Sequence, residues 1–180
     1  MWALGFIGNL LRARSVYDAA RNRGHLALCH WDTLRKLSSE LVDSKLSKMV
    51  PKEARDRLEW HREQGHRLVL VTATVMPMAQ AMADDLNMDA VYGCGPKEMT
   101  GIMSGSERGW SVPRRKGKVP IVQKDAESVG HDLADCWGYG NTYADSFFMS
   151  ITGNPVAVNA EGGLKSLAKE KEWTQFEWRV

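Results

Sequence analysis

The stretch Arg67-Leu-Val-Leu-Val-Thr72 is a short, unbroken apolar run rich in valine, entered from a helical pattern through a glycine turn. Such a run is apolar on both alternating faces, which suits a strand of a parallel sheet covered on both sides. Upstream, Pro51 fits the first turn of a helix that continues through Glu53, Ala54, Leu58 and Trp60. That helix is expected to end near Gly65, after the basic residues His61 and Arg62. Downstream, the pattern predicts a helix over 76–86, a short strand over 89–92, a hairpin within 98–105 and a helix over 118–129. Strands follow at 135–139, 154–158 and 175–178, with a helix over 163–171 before the last. Strands alternating with helices imply right-handed crossovers and a doubly wound parallel sheet.

Residues 1–50 read as helical instead. Leu4, Ile7, Leu10 and Leu11 fall at helical spacing, as do Leu34, Leu37, Leu41 and Leu46, with Gly24 marking a turn between them. The division expected is therefore a helical segment over 1–50 and an α/β core over 51–180.

Bulk composition narrows the class. With 180 residues, 43% hydrophobic and 26% charged, the chain is an ordinary soluble globular domain rather than a disordered or membrane-spanning one. A net charge of +2 and the lack of a basic block argue against nucleic acid as a partner. Cys29, Cys94 and Cys136 are odd in number and form no CxxC pair, so neither a disulfide framework nor a zinc site is indicated, and a reducing cytoplasm is the expected setting. The apolar run Met1 to Leu11 is short and follows no basic segment, so a buried helix is expected there rather than a membrane anchor.

In a doubly wound sheet, ligands gather at the carboxyl ends of the strands, so polar residues at those ends are read first. Thr72, followed by Ala73, could bond an anion with help from the free amides opening the next helix, or could simply cap that helix. Lys118 follows Gly117 where a helix begins, an end at which a cation is mildly unfavourable. A lysine there suggests a negative group nearby such as a phosphoryl, although Arg114, Arg115 and Lys116 allow it to be part of a solvated basic loop. The segment Gly138-Tyr-Gly-Asn-Thr-Tyr-Ala-Asp145 places three oxygen-bearing side chains, Asn141, Thr142 and Asp145, just past a strand. Such a group can hold Mg2+, or can be an Asn-Thr turn with an acid in the first turn of a helix.

Taken in order, a strand ending in Thr, a Gly-Lys pair and a Gly-Asn-Thr-x-x-Asp string resemble motifs II, III and IV of the haloacid dehalogenase superfamily. The phosphoserine-phosphatase-like branch, subfamily IB, is the nearest pattern. The helix ending His61-Arg-Glu-Gln-Gly-His66 and the tail Asn154-Pro-Val-Ala-Val-Asn159 with Trp173 are similar to it as well. The resemblance implies a Rossmann-like core and a phosphomonoester hydrolase that works through an aspartyl-phosphate with Mg2+. It further implies that Thr72 binds a phosphoryl oxygen, Lys118 steadies phosphate and nucleophile, and Asn141 and Asp145 stand at the motif IV acids. Ala73, Gly117 and Thr142 would line the substrate.

Two departures qualify these roles. Asn141 is neutral where the family carries Asp, which lowers metal affinity. No Asp-x-Asp, the family's nucleophile motif, occurs in the sequence. The nearest string, Leu26 to Leu34, has His30 at the nucleophile position and leaves too little chain for the usual cap. The expectation is that the first strand belongs before Met1, that residues 1–180 hydrolyse phosphate esters very slowly, and that the sheet has a gap beside Thr72 that favours self-association. The alternative is an inactive homologue that binds a phosphorylated ligand or a protein partner.

Overall fold

A computed structural model describes residues 23–105, 107 and 109–179. The expected helix at Met1 to Leu11 lies outside these residues. A 3-10 turn over Gly24–Leu26 leads to α1 (Trp31–Leu41), which runs on through a π turn at Val42–Leu46 and a last turn at Ser47–Met49. Next come α2 (Lys52–Glu63), β1 (Val69–Val75), α3 (Met76–Asp85) and β2 (Ala90–Cys94). The second half carries α4 (Val119–Val129), β3 (Trp137–Gly140), α5 (Ser146–Met149), β4 (Asn154–Val158), α6 (Gly162–Glu170) and β5 (Thr174–Phe176). The chain thus has the Rossmann-like α/β architecture, and every ladder between these strands is parallel. No described helix is long and apolar enough to cross a membrane.

Among the described residues, the strands form two sheets rather than one, β1-β2 and β3-β4-β5. Each has its own core. Trp31, Met76, Ala79, Ala83, Val91 and Met103 pack around the first sheet, while Met149, Ala157, Ala160, Leu164 and Ala168 pack around the second. Two helices tie the halves together. From α2, Arg57 and His61 reach Tyr139 of β3, while Arg55 pairs with Asp85 of α3 at 2.9 Å. From α4, Asp125 accepts from Arg67 just before β1 and from Tyr92 of β2. The edge of β1 away from β2 and the edge of β3 away from β4 have no strand partner among the described residues.

Several local expectations need correction. β1 does not close at Thr72 but continues to Val75, and its register against β2 slips between Val71 and Val75. Residues 98–105 form no hairpin, because Ile102 makes an antiparallel bridge to His30 and Met103 exchanges backbone bonds with Leu28 and Cys29. This long-range pairing claims the amides that a local hairpin would have used. The helical spacing in α1 holds, but the buried face is Trp31, Ser38 and, past the helix end, Val42, whereas Leu37 and Leu41 point to solvent. The bulky indole of Trp31 sets this orientation, packing edge-on to Trp110 at 6.4 Å between ring centres.

Candidate functional site

Two glycines in β3 fix the first part of the site. Strand geometry sends Trp137 and Tyr139 to one face and Gly138 and Gly140 to the other. A Cβ on Gly140 would lie 2.5 Å from the Cβ of Asp145 and 2.7 Å from the Met149 sulfur. The bare backbone therefore lets α5 pack directly on the strand, which brings the start of that helix over the carboxyl end of β3. Asp145 stands at that start, 8% exposed.

Lys118 reaches it from the other direction. The 3-10 turn Arg115–Lys118 leads into α4, whose Pro120 fits the first turn of a helix where an amide hydrogen is not needed. The Lys118 ammonium donates to Asp145 Oδ1 at 2.7 Å. The Thr142 hydroxyl donates to Asp145 Oδ2 at 3.0 Å, and the Thr142 amide does so at 3.3 Å. Burial pushes the Asp145 carboxyl up, but the Lys118 bond and charge with the two Thr142 donors hold it below the usual carboxylate range. The Lys118 ammonium also lies 5.2 Å from the Phe148 ring centre, a cation-π contact.

The sequence candidates divide between two places. Lys118, Thr142 and Asp145 converge, with Gly117 next to them, where a Cβ would meet the Val112 carbonyl at 3.0 Å. Asn141 is exposed on the turn, and its backbone carbonyl accepts from the Glu161 amide. Thr72 and Ala73 lie in the other sheet. The Thr72 hydroxyl donates to Thr74 Oγ1 at 3.0 Å and accepts from the Thr74 amide, while the Ala73 carbonyl accepts from Arg23 at 2.7 Å. Asp32 sits in the first turn of α1, exposed and beside Arg35, rather than at the end of a strand.

The donors present do not by themselves make a Mg2+ site. Both oxygens of Asp145 are engaged, Asn141 offers a neutral amide, and among the described residues no three His, Cys, Asp or Glu side chains converge. A hard dication held by few protein ligands needs at least one carboxylate free to face it.

Two clusters escaped the sequence. Arg23 and Arg114 both meet Glu107, at 3.0 and 2.9 Å, beside the fully buried Cys94 thiol that burial pushes up. Arg23 lies far from Glu107 and Arg114 in the chain, and no local string announces the cluster. The second cluster joins α2 to β3. Arg57 lies 4.0 Å over the Trp60 ring and donates to the Tyr139 hydroxyl at 2.6 Å, which in turn bonds His61 Nε2 at 2.7 Å. His61 Nδ1 meets His66 Nδ1 at 2.8 Å. Burial first, then the Arg57 charge and His66, push His61 down to about 4.

Comparison with known proteins places these observations. The model of the haloacid dehalogenase-like hydrolase family matches residues 8–149. The phosphoserine phosphatase SerB1 of Mycobacterium tuberculosis is 28% identical over 144 residues, which cover 80% of this chain and 46% of that protein. The chain therefore spans about half the length of this curated relative. A protein of unknown function from Bordetella pertussis Tohama I has the same fold, with a TM-score of 0.75 at 20% identity over 96% of this chain and 88% of that one. A substrate-bound phosphoserine phosphatase gives a TM-score of 0.58 at 19% identity, covering 81% and 70% of the two chains.

Proposed function

The chain belongs to the haloacid dehalogenase-like hydrolase family, and from that premise we propose that it is the phosphoryl-binding core of a phosphomonoester hydrolase. The observation that carries this reading is the Lys118–Asp145 pair, largely buried and 2.7 Å apart at the carboxyl end of β3. Buried cations at such a place are rarely retained for stability alone, because burying an ion pair gains little over apolar packing. A phosphoryl group entering between the sheets would take the second share of the Lys118 charge, and the Thr72 hydroxyl would turn from Thr74 to one of its oxygens.

The same reading assigns the gap between β1 and β3 to a strand that carries the aspartate nucleophile. Its carboxylate attacks phosphorus, the ester P–O bond breaks, and the alcohol leaves after taking a proton. Water then attacks the aspartyl-phosphate, releasing phosphate and restoring the carboxylate. Residues 1–180 contain no Asp-x-Asp, so this reading leaves the nucleophile unassigned among them. That further carboxylate would also supply what a Mg2+ site still lacks.

A second reading, an inactive homologue that binds a phosphorylated ligand, is favoured by the exposed, neutral Asn141. Phosphate release from a broad panel of small phosphomonoesters separates the two. A polypeptide that adds an upstream Asp-x-Asp strand in frame is expected to release phosphate, and Lys118→Ala in that polypeptide to lower the rate by roughly a hundredfold or more. Failure on every ester, or a coding sequence with no such strand, rules for the inactive homologue.

A further inference from the structure

The carboxyl end of β1 opens into a cleft of about 490 Å³ against α1. Thr72 and Thr74 line it on the strand side, and Leu26, Leu34, Val75 and Met78 supply apolar walls. Ser38 lies in the same wall, 1% exposed, and its hydroxyl has no hydrogen-bond partner. That is unusual, because a helical serine can normally turn its hydroxyl to the carbonyl four residues back. A buried hydroxyl without a partner lowers stability, so a ligand oxygen that bonds it would remove a standing penalty. Among the described residues the cleft is lined by no carboxylate. Its one permanent cation, Arg23, shares the single carboxylate of Glu107 with Arg114, so the wall carries excess positive charge.

We propose that this cleft holds the alcohol half of the substrate, and that the substrate is a phosphomonoester of an uncharged, largely apolar alcohol bearing one further oxygen. The apolar walls take the body of the alcohol, and Ser38 bonds the added oxygen. An amino-acid phosphate is disfavoured, because its ammonium finds no carboxylate among the described lining residues, and its carboxylate would pair with Arg23 only in competition with Glu107 and the Ala73 carbonyl. Ser38 is thus a specificity-determining residue, and the inference rests on the phosphoryl-binding reading above.

Binding to residues 1–180 tests this without requiring turnover. Titration calorimetry would compare inorganic phosphate, O-phosphoserine, hexyl phosphate and hydroxyhexyl phosphate. Hydroxyhexyl phosphate should bind about tenfold more tightly than either phosphoserine or inorganic phosphate. Ser38→Ala should remove its advantage over hexyl phosphate while leaving inorganic phosphate binding unchanged. Because that substitution deletes an unbonded hydroxyl, the variant should melt at the same temperature or higher, so loss of folding is not expected to confuse the result. Phosphoserine binding as tight as hydroxyhexyl phosphate, or an unchanged preference in Ser38→Ala, overturns the inference while leaving the phosphoryl site standing. Inorganic phosphate binding that Lys118→Ala does not weaken overturns the phosphoryl site itself, and the inference with it.

Discussion

His61 shows how one side chain carries the junction between α2 and β3. It is 4% exposed, and the donors around it dictate its form. Tyr139 accepts from Arg57, so its own hydrogen is free to go to His61 Nε2, and the Nδ1 hydrogen of His61 then goes to His66. This chain is complete only when His61 is neutral. Protonation would put a second donor on Tyr139 next to Arg57, consistent with the depression to about 4. The sign follows directly. His61 takes up a proton more readily unfolded than folded, so its contribution to stability is whole above pH 6.5 and is lost as pH falls toward 4. Denaturant unfolding should therefore show the wild type losing up to about 3 kcal/mol over that window, while His61→Gln loses clearly less. Equal losses in both proteins would contradict the assignment. Asp145 behaves in the opposite sense to a buried acid left alone. Its depressed carboxyl adds stability above the ordinary carboxylate range, which disappears as pH falls through the folded value.

At the scale of elements, what could be read from the sequence depended on how local each cause was. β1, α2, α3, α4, β4 and α6 announce themselves through apolar runs, helical spacing and the Gly65 turn, all of which act within a few residues. β3 is weak in composition because half its residues are glycine, and the reason lies in a partner element: Gly138 and Gly140 make room for α5 and the residues beside it. Residues 98–105 look like a local hairpin in the sequence because their true pairing partner, residues 28–30, lies some seventy positions away. The site divides in the same manner. Lys118, Thr142 and Asp145 sit in short strings, whereas Arg23, Ser38, Glu107 and Arg114 come together only in the fold. The packing of β3 on α5 gives a direct test. Gly140→Ala should destabilise the protein by about 1–3 kcal/mol through overpacking and push Asp145 away from Lys118. Inorganic phosphate binding should fall with it, measured by calorimetry alongside thermal unfolding. A variant as stable as the wild type with unchanged binding would show that the close approach is not what positions Asp145.

Among the described residues the molecule has two small parallel sheets, each with its own core, tied together by α2 and α4. Edge strands with unpaired backbone groups favour association, so this arrangement is expected to promote self-association unless a strand covers those edges. The chain also spans about half of the curated relative it matches, and the proposed phosphoryl site rests on the Lys118–Asp145 pair. The most direct test of this account is steady-state phosphate release by purified residues 1–180 with Mg2+ present, combined with calorimetry of inorganic phosphate on the same protein. The account predicts phosphate binding that Lys118→Ala weakens by about tenfold or more, with turnover far below the roughly 1–1,000 per second of ordinary enzymes. Turnover within that ordinary range by residues 1–180 would contradict it.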